Sequence, residues 1–198
     1  MALMLMTVNI AITYPTFPLI RLGFWLAFMV IFALITVIDI EHRLILFATI
    51  RPSVILALIY ATYSHFDGRE PQFLDHIFGG VLGFGVFFLL FNGGALFTYI
   101  LGKIRGQNIE EVAFGFGDVM LSGLCGLILG WRADVLAMFL TVFLGAGGAI
   151  IYLIGRQLAK GKYTAFAAIP YGPYIIAATV ILLLYPNLVV QLVFGGGS

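Results

Sequence analysis

The chain is poor in charge, in cysteine and in recognisable metal-ligand patterns, and each shortage removes a class of protein. Only 10% of its 198 residues are charged while 62% are hydrophobic; a soluble globular domain carries about 25% charged residues. A soluble fold is excluded on that ground. The net charge of +1 supplies no basic surface for nucleic acid, whose binding depends on neutralising phosphates. The lone cysteine, Cys125, lies inside an apolar run. It offers neither an internal disulfide nor a cysteine zinc site and reads as a small buried apolar residue. No His-Glu-x-x-His helix is present for zinc peptidase chemistry. Neither Ser53 nor Ser122 has a histidine at a suggestive position, so a serine hydrolase is not indicated. The apolar N-terminus lacks a basic n-region and a clear cleavage site, and it is not read as a cleaved signal peptide.

What the chain has is apolar length. Six runs cover roughly residues 20–39, 48–64, 77–101, 112–130, 134–155 and 169–190, and a spanning helix needs about 20 residues. Their uniformity excludes the short alternating segments of a transmembrane β-barrel. The expected fold is an all-α polytopic bundle of about six transmembrane helices, in contact with the lipid bilayer and forming one domain over residues 1–198. Residues 1–19, interrupted by Pro15 and Pro18, read as a lead-in or interfacial segment, and residues 195–198 as a linker remnant. Arg51, beside Pro52 at the start of the second run, is expected to snorkel to the interface. Gly79 with Gly83, and Ser122 with Gly126 and Gly130, form small-xxx-small ladders of the kind that lets helices approach closely. The polar segment 64–76 reads as a solvated turn.

If all six runs span, the loops alternate sides. Arg43, Arg51, Lys103, Arg105, Arg156, Lys160 and Lys162 then share one side, and Arg21, Arg69 and Arg132 the other. Cytoplasmic loops carry the excess of Lys and Arg, so the first group faces the cytoplasm and both termini face outward.

Two acids stand out against this background. Asp39 ends the uncharged stretch 23–38, and Asp118 closes Gly115-Phe116-Gly117-Asp118 at the start of another apolar run. Ionisable residues at membrane depth are costly and mark functional sites by default. The charge bias puts both on the cytoplasmic side. Two adjacent carboxylates titrate as a coupled pair, so one can act as general base toward water while the other acts as general acid toward a carbonyl. Such chemistry needs no metal, cofactor or covalent nucleophile. Asp118 by itself reads first as a helix N-cap; the second aspartate on the same side favours catalysis. Gly115 and Gly117 are expected to allow backbone conformations closed to other residues and close approach of a peptide. Pro170, Gly172 and Pro173 read either as a helix start with proline in its first turn or as a broken helix lining a polar cavity.

Three stretches carry a family resemblance: Val37-Ile38-Asp39-Ile40-Glu41-His42-Arg43-Leu44-Ile45, Gly115-Phe116-Gly117-Asp118 and Ile169-Pro170-Tyr171-Gly172-Pro173. With Gly130-Trp131 after the second, they resemble the type IV prepilin peptidases, aspartic proteases of the G-x-G-D class in bacterial inner membranes. The resemblance spans about residues 20–190. It implies that Asp39 and Asp118 are catalytic and that prepilins or pseudopilins are the substrates. It also implies that the basic leader is cut after a glycine at the cytoplasmic membrane face, without a cofactor. Glu110 and Glu111, with Glu41, are candidates to attract that leader. His42 and Arg43 read as rim residues.

The sequence departs from the family at Leu46, where proline is usual, and at Met120, where lysine is usual. It also lacks the cysteine-rich domain associated with N-methylation in many members. Presenilin-type proteases use G-x-G-D too, but their Tyr-Asp helix and Pro-Ala-Leu motif are missing here. An archaeal preflagellin peptidase is a closer alternative; Glu41-His42 and the Pro-Tyr-Gly-Pro turn favour the bacterial branch. A small proton-coupled transporter would use the same two aspartates as a relay, though no convincing inverted repeat is visible. The sequence names neither the individual pilin nor an oligomeric state.

Overall fold

The computed structural model describes residues 19–66, 71–105, 115–158 and 170–185. Those residues form six helices: α1 (Leu19–His42), α2 (Phe47–Phe66), α3 (Phe73–Arg105), α4 (Phe116–Leu129), α5 (Trp131–Leu158) and α6 (Gly172–Leu184). The lead-in at 1–18 and the terminal Gly-Gly-Gly-Ser lie outside the described residues. Helices α1, α2, α3 and α5 are long and apolar enough to cross a membrane.

The other two runs are corrected in length. The apolar run at 112–130 forms a helix of only 14 residues and the run at 169–190 one of 13. At 1.5 Å per residue they reach about 20 Å, short of the roughly 30 Å hydrocarbon core. Ten residues of α4 are buried, on every side of the helix. Its apolarity therefore answers to other helices, and apolar length alone does not separate a buried helix from a lipid-facing one.

Helix α1 shows how the bundle is patterned. Trp25, Phe28, Met29, Phe32, Ile35 and Asp39 are buried at helical spacing, one stripe facing the interior. Val30, Leu34, Val37 and Ile40 are exposed, as a lipid-facing side should be. Asp39 continues the inward stripe one turn beyond Ile35. Helix α2 turns a stripe of smaller residues inward, with Ser53, Ala57, Ala61 and Ser64 beside Tyr60. Phe28 meets Tyr60 edge-on at 5.6 Å, joining α1 to α2.

The closest seam runs between α3 and α4. A Cβ placed on Gly79 would collide with backbone atoms of Gly126, Gly130 and Trp131, and one on Gly83 would lie 2.6 Å from the Ser122 carbonyl oxygen. The ladders expected from sequence meet each other here.

Segment 64–76 is more than a solvated turn. Ser64 donates to the Pro71 carbonyl at 3.1 Å, and Asp75 accepts from the Trp131 indole at 3.1 Å. His76 is fully buried, with Nδ1 2.9 Å from the Leu127 carbonyl oxygen. A carbonyl only accepts, so Nδ1 carries the proton. A buried polar ring needs such a partner, and this one pins α3 to α4.

Candidate active site

Asp39 and Asp118 are both buried, at 5% and 9% exposure, and the Asp39 carboxylate acts on Asp118 electrostatically. The fold brings them together from three directions. The end of α1 carries Asp39. The first turn of α4 carries Asp118. The start of α6 lies against both.

Asp118 is not the N-cap of α4. That position belongs to Gly115, and Asp118 is the third residue inside the helix. Its amide donates to the Gly115 carbonyl at 3.1 Å, and its Oδ2 accepts the Gly115 N–H at 3.2 Å. The carboxylate thus satisfies one of the amides that a helix start leaves unpaired. Phe116, between the two glycines, stacks on Phe47 of α2 at 6.2 Å and meets Phe91 of α3 edge-on at 5.9 Å. These ring contacts, each worth roughly 0.5–1.5 kcal/mol, hold the Gly-Phe-Gly-Asp segment against two neighbouring helices.

The expected role of the two glycines is revised. Gly115 has φ −81°, an ordinary value, and Gly130 alone among the described glycines has a positive φ, at 79°. Backbone freedom is not what positions 115 and 117 require. Gly117 is needed for space: a Cβ there would sit 2.6 Å from the Ile45 Cβ.

The start of α6 is likewise an ordinary helix start, with Gly172 first and Pro173 second, where a missing N–H costs nothing. Pro170 and Tyr171 precede it, and among the described residues the helix runs unbroken from Gly172 to Leu184. Gly172 approaches Asp39 so closely that a Cβ on it would lie 2.5 Å from Asp39 Oδ2. The Gly172 amide acts on that carboxylate, yet Oδ2 has no hydrogen-bond partner among the described residues. That oxygen is buried as well as unpartnered, an uncommon state for a carboxylate with a purely structural role. A Gly172→Ala variant should lose about 10²-fold in turnover, since displacing a catalytic group by an ångström costs that much. Thermal unfolding should move little. Unchanged turnover would show that the close approach has no consequence.

Tyr171 was not evident as a site residue in the sequence. Its ring fills the space left by Gly145 of α5, where a Cβ would meet it at 2.9 Å, and packs on Phe87 of α3 at 6.3 Å. Burial first, and the Asp118 carboxylate second, hold its phenol above the usual tyrosine range. It remains a proton donor throughout the neutral range. A turn signal such as Pro-Tyr-Gly-Pro gives no hint of which helix the tyrosine will meet.

Glu110 and Glu111 lie outside the described residues. Glu41, His42 and Arg43 are exposed at the rim. Met120 lines an apolar groove with Ile50, Val54, Phe84 and Leu124, surroundings that suit methionine better than the lysine usual at that position. Asp134 is a third buried acid, unsuspected from sequence. It lies beside Gly83 and Gly126, in the seam rather than at the pair.

These features define a multi-pass helical membrane protein with two buried, interacting carboxylates at one end of its bundle. Residues 26–150 match the model of the type IV leader peptidase family, and the chain belongs to that family. It is accordingly a peptidase. The matched span contains Asp39 and Asp118 and ends before the Pro170–Pro173 turn. No curated protein and no solved structure matches the chain.

Proposed function

We propose that this chain is an aspartic endopeptidase of the bacterial inner membrane, removing the basic leader from prepilins or pseudopilins at the cytoplasmic face. The observation that carries the reading is the convergence of Asp39 and Asp118, buried and interacting, in a chain from a leader peptidase family.

One aspartate, ionised, takes a proton from a bound water as the oxygen attacks the scissile carbonyl. The other, protonated, gives its proton to the carbonyl oxygen. Collapse of the tetrahedral intermediate breaks the C–N bond. The proton taken from water passes to the leaving amine, and the hydroxyl proton returns to the acid that supplied it. The dyad ends as it began, with one proton shared. Glu41 at the rim, with Glu110 and Glu111 between α3 and α4 in the sequence, complement a basic leader.

The test uses purified protein in detergent micelles and a peptide with a basic leader, a glycine and an apolar helix. One cut after the glycine is expected by mass spectrometry. An intact peptide, with the protein shown to be folded, would turn the reading toward proton-coupled transport or a scaffold. Charge reversal at Glu110 and Glu111 together should raise KM for that peptide several-fold, with kcat little changed; a KM unaffected by the reversal would remove those residues from leader recognition.

A further inference from the structure

We propose that Ile45 is a positioning residue whose side chain acts as the spacer setting the separation of Asp39 and Asp118. The inference rests on the reading of those aspartates as the catalytic pair. Ile45 lies in the short link between α1 and α2. Arg43 leaves α1 with φ 52°, a left-handed turn that its amide closes on the Asp39 carbonyl at 2.8 Å. That conformation is strained for a non-glycine residue, and here it turns the link away from the axis of α1. Leu44 and Leu46 on either side are exposed, at 63% and 46%. Ile45 alone among the three packs against the core.

Its two ends touch the two halves of the site. At the near end, a Cβ on Gly117 would lie 2.6 Å from the Ile45 Cβ, 3.3 Å from its carbonyl oxygen and 3.4 Å from its Cα. At the far end, a Cβ on Gly172 would lie 3.3 Å from the Ile45 Cδ1. Gly117 immediately precedes Asp118, and Gly172 abuts the Asp39 carboxyl. The path from one acid to the other therefore runs Asp118, Gly117, Ile45, Gly172, Asp39, with glycines at both points of contact. A β-branched side chain is stiff at χ1, which suits a spacer. The backbones it separates belong to two helix starts that no described hydrogen bond joins.

The experiment compares Ile45→Ala and Ile45→Val with wild type on the leader peptide, reading kcat, KM, the pH profile of kcat and thermal unfolding. Ile45→Ala should lower kcat about 10²-fold with KM little changed, and Ile45→Val, which loses only the end facing Gly172, should fall between. The spread of the two limbs of the pH profile should also change, because the coupling of two carboxylates depends on their distance. Wild-type kcat in Ile45→Ala would overturn the proposal. So would a loss of kcat that tracks thermal destabilisation while the spread of the limbs stays fixed. If Ile45→Ala does not fold, the same readings on Ile45→Val decide. Asp39→Asn runs alongside: cleavage surviving in that variant defeats the catalytic reading itself, whereas failure confined to the Ile45 variants defeats only the spacer.

Discussion

A Gly126→Ala variant is expected to unfold at a temperature roughly 10 °C below wild type, corresponding to about 3 kcal/mol for a chain of this size. The added methyl would meet the carbonyl carbon of Gly79 at 2.5 Å and Asp134 Oδ2 at 3.0 Å. A side chain could swing aside; the backbone of α3 cannot. The helices would have to part, and overpacking of this kind costs about 1–3 kcal/mol and sometimes more. Parting would also stretch the bond from His76 to the Leu127 carbonyl and strand a fully buried ring, adding about 1–3 kcal/mol. Against this stands the gain of roughly 1 kcal/mol when alanine replaces glycine in a helix, too small to offset the clash. Gly93 of α3 is the internal control, because a Cβ there meets nothing within 4 Å. Gly93→Ala should leave stability unchanged or slightly raised. Equal unfolding temperatures for the two variants would show that the glycine seam does not hold the bundle.

Asp39→Asn and Asp118→Asn should each lower kcat by about 10³-fold or more, about 4 kcal/mol of barrier. Asparagine keeps the size of the side chain and removes both its capacity to take a proton and its capacity to give one. Neither substitution should unfold the chain. At position 118, the amide oxygen of asparagine can still accept from Gly115 N–H. At position 39, replacing a buried carboxylate that lacks a hydrogen-bond partner on Oδ2 relieves rather than creates a desolvated charge. Loss of turnover with the fold intact would thus report chemistry rather than damage.

Much of this was legible in the chain itself. Uniform apolar runs gave helices, because backbone groups in lipid must be satisfied within the segment. The two aspartates stood out because charge is so costly in such runs. The glycine ladders announced a close seam, and Gly79 and Gly126 form it. Other features depended on what distant residues would meet. Nothing local marks the run at 112–130 as a short helix enclosed by protein. His76 reads as part of a polar turn until the Leu127 carbonyl meets it, and nothing in the sequence marks Asp134, which lies beside Gly83 and Gly126. Gly117 looked like a residue of backbone freedom and proved to be a residue of space, because the side chain it makes room for, Ile45, lies 72 positions earlier. Tyr171 escaped notice for the same reason: its neighbours come from α3, α5 and the Asp118 turn.

The central claim is that Asp39 and Asp118 form one catalytic unit. It is tested most directly by cleavage rates of the leader peptide for wild type, Asp39→Asn, Asp118→Asn and the double variant, each shown to be folded. Residues that act as a unit are strongly non-additive, so both single variants and the double variant should share one residual rate about 10³-fold or more below wild type. Single variants that retain near-wild-type cleavage, or losses that simply multiply in the double variant, would contradict it.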